Sequence, residues 1–302
     1  MAKGVFLHRA DSRYDDRPEE HYQFPKQYYG RAQQSKGDWI VYYEPVKGGG
    51  RGYFAVARVE DIIVDPAAPD MYLALIAPGS YLRLEADVPF RGADGLVERG
   101  LLNDRGVLSG RAQAAIRPLS DEDFVRIVDL GLPDDVPLLP RIGDVDAYGV
   151  GAMREESFVL EPPEAVSRRR IARLMSRPYR DRVFRKIVLD AYDRRCAVTG
   201  TRLINGGGRA EVQAAHIRPV EHDGPDALSN GLALSGTAHW MFDRGLIGVA
   251  DDLSILVSRQ ANDPDSVWRL ANPTRRLIAP RDPALRPHPR FLAWHRENCF
   301  KN

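Results

Sequence analysis

Four polar residues in one short stretch, His216, Asn230, His239 and Asp243, are suited by kind and separation to proton transfer and metal binding. His239 and Asp243 lie four apart, and on a helix that spacing stacks two side chains on one face about a turn apart, a geometry suited to two ligands of one ion. A helix beginning near Gly236 would carry both. His216 closes a strand-like run, QAAHI, and a histidine is the side chain best placed to exchange a proton near neutral pH. Asn230 heads a second strand-like run, GLAL, where an asparagine also suits an ordinary turn. Taken singly, each has a bland explanation as a core or turn residue; their order and spacing carry the argument. Trp240 and Phe242 on the same helix are expected to serve packing, His222 to be an exposed loop side chain and His295 to be structural.

Any metal must sit on His, Asp, Glu or Asn. The chain has only two cysteines, Cys196 and Cys299, far apart and in no CxxC pair, which removes a disulfide framework and a four-cysteine zinc site.

The segments around these residues fall into two units. The chain has 302 residues, 43% hydrophobic and 28% charged, with a formal net charge of +1, the profile of a globular protein of two ordinary domains. No run of about eighteen apolar residues occurs and the N-terminus has no apolar signal core, so the expected setting is cytoplasmic, with no membrane partner. Near-neutral charge argues against an indiscriminate polyanion binder, yet the distribution is uneven. Arg168, Arg169, Arg170, Arg185 and Lys186 belong to a basic block before Cys196, and Arg244 follows the Asp243 position; these are the candidates for contact with a phosphate backbone.

Residues 1–132 read as short β segments closed by a helix. GDWIVYYEP, YFAVARVEDIIV and MYLALIAP are rich in β-branched and aromatic residues, and KGGGRG separates the first two. In SDEDFVRIVDLGL, Ser120 is the expected N-cap and Gly131 the stop. Residues 133–165 carry prolines, glycines and acids without periodicity and read as a linker. From 166 to 302 the pattern turns helical, with VFRKIVLDAY placing Val183, Ile187, Val188 and Ala191 on one stripe, and the chain ends in a short amphipathic helix, RFLAWHRENCF, expected to dock on the module before it. The fold class expected is α+β.

The segment from Cys196 to Ser258 contains AAHIRP, SNGLAL and HWMFDRG in that order, and through these three elements it resembles the HNH nuclease superfamily. The resemblance implies a ββα-metal fold in which the first histidine is the general base, the asparagine holds the loop or polarises that histidine, and the last histidine with the residue four later ligates one divalent metal, Mg²⁺ or Mn²⁺. Those roles fall on His216, Asn230, His239 and Asp243. The chemistry is consistent, since hydrolysis of a phosphodiester needs a base to activate water and a cation to stabilise charge on phosphate and leaving oxygen. One departure stands out: many relatives have an Asp or His before the first histidine as a metal ligand, and here that residue is Ala215. Gln213, Glu211, water or substrate phosphate could fill its place.

The run from KGDWIVYYEP through YFAVARVEDI resembles the core strands of the PUA-like superfamily, in particular EVE-type and SRA-like modified-base readers. That resemblance implies a small β-barrel with a pocket for a modified cytosine, 5-methyl or 5-hydroxymethyl, and a chain resembling the modification-dependent, type IV-like restriction endonucleases of bacterial defence that fuse such a reader to an HNH module. Tyr28, Trp39 and Tyr43 are the expected lining residues. Double-stranded DNA is then the partner, and since one HNH site cuts one strand, a homodimer is a candidate assembly. Two alternatives stand beside this: an HNH nuclease whose first domain reads no modified base, and a non-cleaving DNA-binding regulator.

Overall fold

The computed structural model describes residues 2–9, 12, 14–45, 51–103, 105–132, 182–206 and 208–302. The expected linker, 133–165, and Arg168, Arg169 and Arg170 lie outside the described residues.

Strands β1 (Gly4–Leu7), β2 (His21–Pro25), β3 (Trp39–Glu44), β4 (Gly52–Val64), β5 (Met71–Ile76), β6 (Leu82–Val88) and β9 (Ile116–Pro118) form one sheet in the order β2-β5-β4-β3-β1-β9, with β6 also paired to β4. A short helix, α1 (Tyr29–Gln34), joins β2 to β3, and a two-stranded ribbon, β7 (Arg91–Gly92) and β8 (Gly95–Leu96), precedes β9. β1 runs parallel to β3, and the other pairs are antiparallel. β4 is long enough to serve two neighbours in succession: Gly52–Arg58 pairs with β3 and Val59–Val64 with β5, with a register shift between Val59 and Asp61 where the partner changes. Such a bulge bends the strand. Among the described residues the ladder ends at β2 and β9 and does not close into a barrel.

Every residue of β3 is buried, because both faces of the sheet are covered. Successive side chains alternate, so Trp39, Val41 and Tyr43 join Val5, Tyr53 and Val56 in one core with helix α2 (Asp121–Gly131), while Ile40 and Tyr42 join Phe6, Tyr22, Phe24 and Phe54 in another. α2 begins where the Ser120 side chain accepts from the Asp123 N–H. Gly131 serves closeness as well as termination: a Cβ there would fall 2.6 Å from Leu84 on β6. Deep in the first core, Arg117 and Glu98, 1% and 2% exposed, form an ion pair at 2.7 Å, and the Tyr53 hydroxyl donates to the same carboxylate at 2.8 Å.

The second unit opens with helix α3, described over 182–191, which buries Val183, Phe184, Ile187 and Val188. It continues through the hairpin β10 (Gln213–His216) and β11 (Gly231–Leu234), helix α4 (Gly236–Asp243), a second hairpin of β12 (Ile247–Val249) and β13 (Ile255–Val257), helix α5 (Pro264–Leu270) and helix α6 (Pro289–Asn298). The tail is part of the fold. His295 of α6 stacks on Phe242 with ring centroids 3.7 Å apart and donates from Nε2 to the Phe242 carbonyl at 3.0 Å. The chain end also crosses Gly245, where a Cβ would lie 2.0 Å from the Cys299 carbonyl oxygen, so only glycine permits the passage.

The two units meet. Arg182 of α3 donates to Asp129 of α2 at 2.9 Å, Lys186 pairs with Glu85 of β6, and Gly79, at φ +70°, comes so close to Leu228 and Leu285 that a Cβ would lie within 2.9 Å of both.

Candidate functional site

The β10–β11 hairpin sets the register of the site, with His216 opposite Gly231 and Gln213 opposite Leu234. Gly231 is glycine for a packing reason: a Cβ would lie 2.5 Å from Val188 and 3.1 Å from Phe184, so its absence lets α3 lie against the hairpin end. Phe184 then stacks on the His216 imidazole, centroids 3.8 Å apart and planes within 10°. The other edge of that ring meets Asp226, whose Oδ1 is 3.0 Å from His216 Nε2.

Between His216 and Asn230 runs a loop that Asn230, fully buried, ties together. Its Oδ1 accepts from the Arg218 N–H at 2.9 Å, and its Nδ2 donates to the carbonyls of Arg218 at 3.0 Å and Pro225 at 2.9 Å. All three bonds go to backbone, so the side chain shapes the loop. Gly224 completes the closure, since a Cβ there would fall 1.8 Å from the Arg218 carbonyl oxygen.

Helix α4 starts from Ser235, whose side chain accepts from Ala238 N–H, and from Glu211, which accepts from Gly236 N–H at 2.8 Å. The helix carries His239 and Asp243 on one face as the four-residue spacing requires, with His239 Nε2 3.4 Å from Asp243 Oδ2. His239 Nδ1 lies 2.9 Å from Gln213 Oε1. With the proton on Nδ1 for that amide oxygen, Nε2 keeps its lone pair and faces a carboxylate oxygen. Two acceptors so placed suit a shared divalent cation, because cis ligands about 2.1 Å from an ion stand roughly 3 Å apart. Among the described residues no third His, Cys, Asp or Glu joins them. Such a donor pair would suit an oxygen-preferring ion completed by water and phosphate; of the side chains near Ala215, Glu211 accepts from the Gly236 N–H through Oε1 and Gln213 Oε1 lies against His239. Nearby, burial and then the Asp243 carboxylate push the pKa of the Cys299 thiol up.

The other expected site residues are scattered. Trp39 and Tyr43 are buried on the α2 side of the sheet, Tyr43 between Tyr53, Phe90 and the Arg117 guanidinium, whereas Tyr28 packs on the opposite core and is half-buried. The three do not share a face. Of the basic residues, Arg244 is exposed at the end of α4, Arg185 is half-buried, and Lys186 is engaged by Glu85. Trp240, expected to pack, is 53% exposed and lines a shallow groove with Glu211, Gly236 and Thr237, while Phe242 is buried as expected.

Sequence reading missed Asp226, Phe184 and the pair formed by Arg218 and Trp294, in which the guanidinium lies 5.8 Å from the indole centroid. Gly224 and Pro225 signal a turn, but no spacing rule tells that the loop returns an acid to the histidine. Phe184 stands 32 residues before His216 in the chain and reaches it only through the packing of α3.

Residues 196–250 match a family model described as HNH endonuclease, and this stretch is an HNH endonuclease domain. No curated protein matches the chain. Among solved structures, the chain is similar to the modification-dependent TagI restriction endonuclease, with a TM-score of 0.32 and 15% identity over 99% of this chain and 81% of that one. It is also similar to the type IV phosphorothioation-dependent restriction endonuclease ScoMcrA, with a TM-score of 0.21 and 13% identity over 78% of this chain and 46% of that one. No helix among the described residues is long and apolar enough to cross a membrane.

Proposed function

We propose that this protein is a modification-dependent DNA endonuclease in which the second unit cuts and the first chooses where. The observation that carries the nuclease half is the pairing, within an HNH endonuclease domain, of an immobilised imidazole at His216 with the His239–Asp243 donor pair. His216 takes the proton from the attacking water. His239 and Asp243 would hold one Mg²⁺ or Mn²⁺, which would offset negative charge on the phosphate and the leaving oxygen. Gln213 keeps the His239 ring in the tautomer that exposes its lone pair, and Asn230 holds the loop. Arg244, exposed next to Asp243, is the backbone contact best placed at the site.

The reader half rests on the PUA-like resemblance of the β3–β4 region and on the aromatic wealth of the first sixty residues. Of the three lining candidates Tyr28 is the one that keeps accessible surface, so it is the one able to stack on a base; Trp39 and Tyr43 serve the core. The ligand is a modified cytosine, 5-methyl or 5-hydroxymethyl, in double-stranded DNA, and two copies of the chain supply the two cuts a duplex needs.

The test is cleavage of one plasmid in matched forms carrying unmodified, methylated, hydroxymethylated or glucosylated cytosine, with Mg²⁺ and separately with Mn²⁺. Cutting restricted to modified forms supports the whole reading. Equal cutting of all forms keeps the nuclease and removes the reader, and absence of cutting with retained DNA binding favours a non-cleaving regulator.

A further inference from the structure

The contact between His216 and Asp226 goes beyond the HNH assignment, although its catalytic meaning rests on the nuclease reading above. The two side chains are 17% and 16% exposed, and His216 Nε2 lies 3.0 Å from Asp226 Oδ1. The pairing is built into the fold. Asp226 follows Pro225, whose carbonyl is held by Asn230 Nδ2 at 2.9 Å and by the Ala227 N–H at 2.9 Å, and the loop reaches that point only because Gly224 can pass the Arg218 carbonyl. On the imidazole side, Phe184 fixes the plane of the ring by stacking. Loop closure thus sets the carboxylate, α3 sets the ring, and the two meet edge to edge.

We propose that Asp226 is a positioning residue for the general base. Its carboxylate accepts the proton on His216 Nε2, so the lone pair of the neutral ring is confined to Nδ1, which becomes the proton acceptor. When the reaction proceeds, a water O–H bond breaks, its proton passes to Nδ1 and its oxygen forms the new bond to phosphorus. The P–O bond to the leaving nucleotide breaks with its electron pair on that oxygen, which takes a proton from solvent. The imidazolium formed in this step is offset by the Asp226 carboxylate, so the benefit appears in the transition state rather than in DNA binding. Asn230 acts through Asp226: its three backbone bonds keep the carboxylate within reach of the ring.

The experiment uses the full-length chain with Asp226→Asn, Asp226→Glu and Asp226→Ala, on plasmid DNA in the matched forms above, with Mg²⁺ and Mn²⁺. Asp226→Asn is expected to lower kcat by about 10²-fold or more, the lower end of what a positioned base supplies, with KM within about twofold of the unsubstituted chain; Asp226→Glu restores part of the loss and Asp226→Ala does not. A second readout is independent of cleavage. The ring ¹⁵N shifts of His216 in the unsubstituted chain should report the Nε2–H tautomer, and Asp226→Asn should mix it with the Nδ1–H form. Turnover by Asp226→Asn within twofold of the unsubstituted chain, or an Nδ1–H ring in the unsubstituted chain, overturns the proposal. A chain that cuts no DNA yet shows the Nε2–H tautomer lost in Asp226→Asn retains the dyad and removes the nuclease reading instead.

Discussion

At the scale of single residues, the proposed base and the proposed metal-binding histidine each have a neighbour on one ring nitrogen, Asp226 at His216 Nε2 and Gln213 at His239 Nδ1. Replacing His216 with Ala should abolish cutting while leaving DNA binding nearly intact; plasmid nicking and a gel-shift measurement on the same sample check it, and normal cutting would mean the base lies elsewhere. Gln213 touches His239 on the nitrogen that faces away from Asp243, so its effect should be felt through the metal. Gln213→Leu keeps the bulk and removes the acceptor. Loss of an outer partner of this kind costs about 10–100-fold in metal affinity or activity, so the Mn²⁺ concentration for half-maximal cutting should rise accordingly. An unchanged metal titration would leave Gln213 a packing residue.

At the scale of elements, two buried groups set how firmly the frame is held. Arg117 and Glu98 bury opposite charges in the core between the sheet and α2, and burial, which alone would lower the guanidinium's affinity for its proton, is outweighed by the Glu98 carboxylate. Removing one partner strands the other, which costs about 3–5 kcal/mol. Glu98→Leu should therefore unfold the first unit at a visibly lower denaturant concentration, whereas a double replacement by apolar residues should recover most of the loss. The second group is His295, which docks α6 on Phe242. Burial holds its pKa down from 6.5 to about 4. The unfolded chain therefore binds a proton that the folded one refuses: this stability is fully present above about pH 6.5 and is lost as pH falls towards 4, with a total on the order of 3 kcal/mol. Urea melts at pH 7.5 and pH 5 should differ in midpoint, and His295→Phe, which keeps the stack, should flatten the difference. A midpoint that rises on acidification would contradict the assignment.

At the scale of the whole molecule, the hairpin loop that contains Asp226 sits against the first unit. Ala77–Ser80, between β5 and β6, and Arg58 of β4 share a narrow cleft with Phe184, Ile187 and Asp226–Leu228, so the loop that carries Asp226 also lies between the two units. Gly79→Val would press a branched side chain against Leu228 and Leu285 at a backbone angle of φ +70°. Overpacking of this sort costs about 1–3 kcal/mol, and here it should loosen the contact between units before it unfolds either one. Limited proteolysis and hydrogen exchange across 224–230 should report faster opening in Gly79→Val. Unchanged protection of that loop would show that the first unit does not brace it.

Features that are local and periodic are legible in the order of residues. The spacing of four on α4, the cap at Ser120, the strand alternation that separates Trp39 from Ile40, and the ordered motifs around His216, Asn230 and His239 follow from 3.6- and 2-residue repeats and from turn chemistry, which depend on near neighbours along the chain. Residue order could not decide which partners meet across loops. Asp226 reaches His216 because Asn230 and Gly224 fold the loop back, and Phe184 reaches it because Gly231 admits α3. Tyr28, in the turn Lys26–Tyr28 after β2, packs on the core opposite that of Trp39 and Tyr43, and with both faces of the sheet covered alternation alone does not say which side stays accessible. Such contacts are fixed by the close packing of elements distant in sequence, where one missing Cβ decides whether two backbones can approach, and only the tertiary structure carries that information.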